Sequence, residues 1–123
     1  MRRSTALLRT TFVAYLDRLV ATHTRSTATG TASRLNNFAG HFTAVDPASA
    51  SLTDLDRRRH IESYLTASAT AVNFRTRAPL SPTERRGRVL AVHGMLNNIA
   101  EWDWLEAPTR RLVFTSDLPK LPR

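Results

Sequence analysis

The chain contains no cysteine in its 123 residues. That excludes a disulfide framework, thiolate metal ligands and thiol nucleophiles, and makes a reducing cytoplasm the expected compartment. Glycine is scarce, with four in all, and no Walker loop, dinucleotide fingerprint or G-x-S-x-G elbow occurs. No apolar run approaches the ~18 residues of a membrane span. The start Met1-Arg-Arg-Ser-Thr-Ala-Leu-Leu-Arg opens like a signal peptide, but Arg9 interrupts the apolar run and Asp17 and Arg18 follow it. The four histidines, His23, His41, His60 and His93, have no second ligand at metal spacing such as i, i+4. Each reads as a surface or half-buried helix residue. The expectation is therefore a chain without catalytic residues, metal, cofactor, membrane contact or small-molecule substrate.

Lysine is nearly missing as well, and 17 of the 18 cationic side chains are arginine. The guanidinium fork grips phosphate with two donors at once, whereas lysine acts as a point charge. Net charge is +8 and unevenly spread. Residues 1–45 carry six Arg against one Asp, residues 46–70 three Arg against four acids, residues 71–100 five Arg against one Glu, and the remainder balances. Two separated basic segments make a polyanion the natural partner.

A chain of this length is one domain, and it can bury roughly two thirds of its unfolded surface without staples. Its apolar residues recur at helical spacing. A first helix is expected from about Thr5 to Thr22, with Leu8, Phe12, Leu16, Leu19 and Val20 inward and Tyr15 beside them, its hydroxyl in water. His23–Gly30 reads as a loop. A second helix, roughly Thr31–Ala44, buries Leu35, Phe38, Phe42 and Val45, with Gly40 marking a close helix contact. Asp46-Pro47 ends it. Asp54 or Asp56 caps a third helix reaching about Ser68, with Leu55, Ile61 and Leu65 buried and Tyr64 flanking. Its Arg57-Arg58-Arg59 run reads as a solvated face, with Glu62 in reach of Arg58 and Arg59.

Residues 67–79 form a connector carrying Arg75 and Arg77. The fourth helix has the strongest start signal: Ser81 as cap, Pro82 at the first position and Glu84 completing a capping box. Val89, Val92, Leu96 and Ile99 form its stripe, and Trp102 and Trp104 close the core. A short turn or helix is expected at Arg110–Phe114. Prolines at 119 and 122 then leave the tail as an extended linker. The fold class is all-α, a compact bundle of four main helices, with a domain over 1–108 and a linker over 109–123.

Arg34 flanks the second stripe, Arg86 and Arg88 flank the fourth, and Arg85 lies nearer that stripe, placed to snorkel outward. Around them sit Arg25, Ser26, Thr27, Thr29 and Thr31, with Arg75 and Arg77 ahead of the fourth helix. Arginines with hydroxyls near helix N-termini are what phosphate contacts commonly use.

Several motifs in order carry a resemblance. Ser26-x-x-Thr29 leading into Arg34-Leu-x-x-Phe38, then Asp46-Pro47, Leu52-x-x-Leu55-Asp-Arg, His60-Ile-Glu-x-Tyr64-Leu and Ile99-x-Glu-Trp-x-Trp-x-Glu-Ala-Pro resemble the N-terminal core-binding (SAM-like) domain of phage-integrase-type tyrosine recombinases of mobile elements. The tail from Ser116 is similar to the linker that leads to their catalytic domain. The resemblance implies a helical clamp on one side of duplex DNA, its second and fourth helices facing the major groove, in a prokaryotic, nucleoid-associated cytoplasmic protein. It assigns DNA contact to Ser26, Thr27, Thr31, Arg34, Arg75, Arg77, Arg85, Arg86 and Arg88, and the basic cluster itself adds Arg25 to the expected contacts. Catalysis in that family needs a His-x-x-Arg element and a tyrosine nucleophile in the C-terminal domain. Here the four histidines are followed three residues on by Ser26, Ala44, Ser63 and Leu96, so no strand exchange is expected from this chain. The alternative is a helical interaction module that oligomerises with intact recombinase protomers. RNA binding is a third reading, without a recognisable RNA-binding motif.

Overall fold

Four helices pack around one apolar core in a computed structural model that describes residues 4–49 and 51–120, with side chains from Leu8 onward. They are α1 (Ser4–Thr22), α2 (Arg25–Val45), α3 (Ser63–Thr70) and α4 (Pro82–Glu101). The fold is the expected all-α bundle, and α2 packs most extensively on α4, with α1 against α2. The Met1–Arg3 start and the final Leu121–Arg123, including the second tail proline, lie outside the described residues.

The core is built from the expected stripes: Leu8, Phe12 and Leu19 of α1, Leu35, Phe38 and Phe42 of α2, and Val89, Val92, Leu96 and Ile99 of α4. Phe38 and Phe42 stack at 6.2 Å, and the Tyr64 ring meets Phe38 edge-on at 5.0 Å. Val20 is exposed, Val45 and Leu65 are only half-buried, and Met95 fills the centre instead. Polar groups from distant elements explain which other side chains come inside. Tyr15 is buried rather than hydrated, because Asn98 of α4 donates its Nδ2–H to the phenol oxygen at 2.8 Å. Tyr64 is buried rather than flanking, with its hydroxyl donating to Asn37 Oδ1 at 2.8 Å. A buried polar group with its partner in place costs little, whereas one without costs a lost hydrogen bond or more.

The α1–α2 junction is two residues long, not eight. Thr24 accepts the Thr27 N–H and starts α2 six residues early, so Ser26, Thr27 and Thr29 are helical. The hydroxyl-rich composition of this stretch favours turns in isolation, but burial of Ala28 against the core outweighs that preference. Gly40 marks no close contact, since a Cβ there would meet nothing within 4 Å.

Of the two candidate caps, Asp56 is the one that starts the helical stretch leading into α3, accepting the Arg59 N–H at 2.8 Å. Asp54 instead closes a capping box with Ser51 on a separate 3₁₀ turn at Leu52–Asp54. Between Asp56 and α3 the chain makes a wide π-helical turn, Arg57–Glu62. This turn holds His60, which is 1% exposed and so not a surface residue. Its Nδ1 accepts the Asp56 N–H at 2.8 Å, which leaves the ring proton on Nε2 to donate to Asp46 at 2.9 Å. The imidazole also meets the Phe42 ring edge-on at 4.6 Å.

Arg57 is not part of a solvated face. Its guanidinium grips Asp117 through both oxygens at 2.6 and 2.8 Å, donates to the Leu112 carbonyl at 2.8 Å and takes Glu62 through Nε at 3.1 Å. Glu62 therefore pairs with Arg57, and Arg59 reaches Asp46 at 3.4 Å. Over its described residues the tail has no helix except one 3₁₀ turn at Thr115–Asp117, which stands in place of the turn expected at Arg110–Phe114. It is also docked, because Leu112 and Val113 are buried in the core cluster and Leu118 packs on it. The expected boundary at residue 108 thus does not coincide with an edge of the core.

Trp102 and Trp104 lie 5.6 Å apart at the end of α4. Trp104 packs on the core, while Trp102 stays 37% exposed, its ring 5.7 Å from that of Tyr15.

Candidate nucleic-acid interface

The α2–α4 packing unites the two basic segments at one place. Arg34 Nη2 lies 2.9 Å from Glu84 Oε1, and Arg88 Nε lies 3.3 Å from Glu84 Oε2. Ser81 caps α4 by accepting the Glu84 N–H at 3.0 Å. The capping box is only half formed, because the Glu84 carboxylate is occupied by the two arginines. Hydrogen bonds from Arg34 hold the Glu84 carboxyl below its usual range, and the same contact raises Arg34. Two cations against one anion leave this cluster with one net positive charge.

Gly87 permits the arrangement. A Cβ at that position would lie 2.7 Å from Arg34 Cζ, so the guanidinium lies directly on the α4 backbone. The close approach that Gly40 was expected to mark is made at Gly87. A glycine between arginines inside a helix, costing about 1 kcal/mol relative to Ala, is the sequence signal that points to it.

The other expected contact residues divide. Thr27, Thr31 and Arg34 lie within about 60° of each other around α2 at 100° per residue. Thr27 is exposed and bonded to Thr24 at 3.0 Å, and Thr31 is half-buried. Ser26 is exposed and about 80° from Arg34, while exposed Arg25 lies about 180° away, on the opposite side of the helix. On α4, Arg85 and Arg88 are about 60° apart, and Arg86 lies on the far side. Arg86 donates to the Pro119 carbonyl at 3.0 Å and so helps to hold the tail. Arg85 is half-buried rather than free, and its Nη1 reaches the Ala69 carbonyl in the last turn of α3 at 3.4 Å. An arginine near a helix C-terminus complements the unsatisfied carbonyls there.

Arg75 and Arg77 are exposed and form no ion pair among the described residues. They sit on a structured turn rather than a plain connector. Val72 and Pro79 pair as an antiparallel bridge, Asn73 N–H donates to the Ala78 carbonyl at 2.6 Å and Leu80 N–H to Ala71 at 3.1 Å. A groove of about 920 Å³ runs from this turn past Asn37 to Glu84 and Arg88. It joins the hairpin to the Arg34–Glu84–Arg88 cluster.

Among the described residues no group of three or more His, Asp or Glu side chains could hold a metal, and no helix is long and apolar enough to cross a membrane. No protein-family model, curated protein or solved structure matches the chain.

Proposed function

We propose that the chain binds duplex DNA as a module of the kind that forms the N-terminal clamp of tyrosine recombinases, in a cytoplasmic, nucleoid-associated setting, and that it does not itself exchange strands. The observation that carries this reading is the meeting of the two basic segments. Arg34 and Arg88, far apart in sequence, share Glu84 beside a groove edged by Arg75, while Arg77 stands nearby on the same turn. This face holds a surplus of guanidinium groups, suited to paired phosphate oxygens. Glu84 presets the arginines and limits the side-chain entropy lost on binding.

Affinity resting on phosphate contacts falls steeply with salt. Fluorescence anisotropy of a labelled duplex, titrated across a salt series, should give a log–log slope near −4.5 if about five phosphates are neutralised. Arg75→Gln with Arg77→Gln should shallow that slope by about 1.8, at 0.9 per lost contact. These two test the site better than Arg86 or Arg88, which also hold the tail and Glu84. A slope near zero would count against the reading. It would favour the alternative, a helical module that assembles with recombinase protomers.

A further inference from the structure

The hairpin between α3 and α4 holds a phenyl ring outward at its tip. Phe74 is 94% exposed, although the turn that carries it is tightly braced. Asn73 Oδ1 accepts the N–H groups of Arg75 at 2.8 Å and Thr76 at 3.1 Å, Arg77 N–H donates to the Asn73 carbonyl at 2.8 Å, and Thr76 Oγ1 accepts from Ala78. Arg77 adopts φ 61°, a left-handed conformation that glycine or asparagine fills with less strain. An arginine kept at such a position, next to an exposed phenyl on a rigid tip, motivates a functional reading rather than a packing one.

We infer that Phe74-Arg75-Thr76-Arg77 is a minor-groove wedge: the Phe74 ring enters between adjacent base pairs while Arg75 and Arg77 hold the groove. This rests on the DNA-binding reading and specifies how that face meets the duplex. The chemistry of the tip favours the minor groove. Reading base edges in the major groove uses bidentate side chains, arginine on guanine or asparagine on adenine, and neither use calls for the outward phenyl of Phe74. The Asn73 amide oxygen is already occupied by two backbone N–H groups of its own turn. What remains free is a phenyl ring and two arginines, the residue set with which minor-groove proteins unstack and kink a step. Pyrimidine–purine steps such as TpA unstack most readily and should be preferred. Because the turn is braced before binding, little ordering opposes insertion.

The test uses the full chain and a short alternating TpA duplex carrying 2-aminopurine, whose fluorescence rises when it is unstacked. Anisotropy is recorded in parallel. The parent chain should raise the 2-aminopurine signal on binding. Phe74→Ala should abolish that rise and weaken affinity roughly tenfold, while Phe74→Leu, still apolar, should keep most of both. Phe74 lies outside the core, so the far-UV circular dichroism of Phe74→Ala should match the parent. Arg77→Gly, compatible with the left-handed backbone, should fold at least as well yet bind less tightly, with a salt slope shallower by about 0.9. Binding without a Phe74-dependent rise overturns the wedge and leaves DNA binding standing. No duplex binding by the parent at low salt overturns both. Preference for single strands, or an effect of Phe74 only on protein association, also overturns the wedge.

Discussion

Removing the Arg57 guanidinium should loosen the C-terminal segment from the bundle. In the folded chain this side chain makes two hydrogen bonds to Asp117, one to the Leu112 carbonyl and one to Glu62, and its Cζ lies 5.5 Å from the centre of the Phe114 ring. The Asp117 side chain is only 10% exposed, so Arg57→Ala leaves a largely desolvated carboxylate with the Phe114 N–H at 2.8 Å and no guanidinium countercharge, and removes the donor to a carbonyl next to the buried Val113. Breaking a fully buried pair in this way costs ~3–5 kcal/mol. Arg57 is itself 30% exposed, and water can enter when it is lost, which places the expected cost at the low end, about 3 kcal/mol. At roughly 4 °C per kcal/mol for a domain between the usual size classes, the melting temperature should fall by roughly 12 °C. Arg57→Lys keeps the charge without the fork and should cost about half as much. Thermal melts by circular dichroism read the stability, and hydrogen exchange at residues 112–118 reads the docking. An unchanged melting temperature together with unchanged exchange in that segment would refute the docking role of Arg57.

Gly40→Ala should stabilise the chain by about 1 kcal/mol, since the added methyl meets nothing and the helix gains propensity; chemical denaturation checks this. Gly87→Ala should be close to neutral, because the helix gain of about 1 kcal/mol opposes displacement of Arg34 from a half-exposed pair worth less than that. Acid should destabilise the fold in two windows. Burial, then the nearby His60, lowers the His41 pKa from 6.5, so the unfolded state takes up protons first and stability begins to fall as pH drops through about 6.5. Hydrogen bonds from Arg57 to Asp117 and from Arg34 to Glu84, and from Ser49 and then His60 to Asp46, hold those carboxyls below their unfolded values. Their contribution is complete above the unfolded carboxyl range and is lost as pH falls below about 4. Asp117→Asn should flatten the lower window in a pH series of denaturant melts. His60→Ala should cost about 3 kcal/mol or more, leaving a cavity and stranding the Asp56 N–H, measured in the same melts.

The helices and most of the core stripes were legible because they rest on local periodicity and caps, as at Ser81 and Asp56. The misreadings share one physical cause, a partner supplied by a remote element. Residues 25–30 have turn-forming composition and become helix because Ala28 packs inside. Tyr15, Tyr64 and His60 are drawn in by Asn98, Asn37 and Asp46, which no sequence spacing connects to them. Glu84 leaves its capping role for Arg34 of another helix, and Gly87 rather than Gly40 clears the space. In the tail, the prolines foretold a non-helical chain, but docking depends on Arg57, some sixty residues earlier. For the candidate site, charge counting picked out the two segments that meet beside Glu84. It could not separate the free Arg75 and Arg77 from Arg86, which serves the tail, or from Arg25, which faces away from Arg34. The hairpin that holds Phe74 outward is built by side-chain-to-backbone bonds of Asn73 and Thr76, and in sequence it reads as a connector.

The most direct test of the central claim is to follow the amide resonances of the labelled chain as duplex DNA is added at low salt. If the chain is a DNA-binding module, shifts should gather at Thr27–Arg34, at Val72–Ala78 and in the first turns of α4, and should reverse as salt is added. Shifts confined to α1, or none at any DNA concentration, would contradict it.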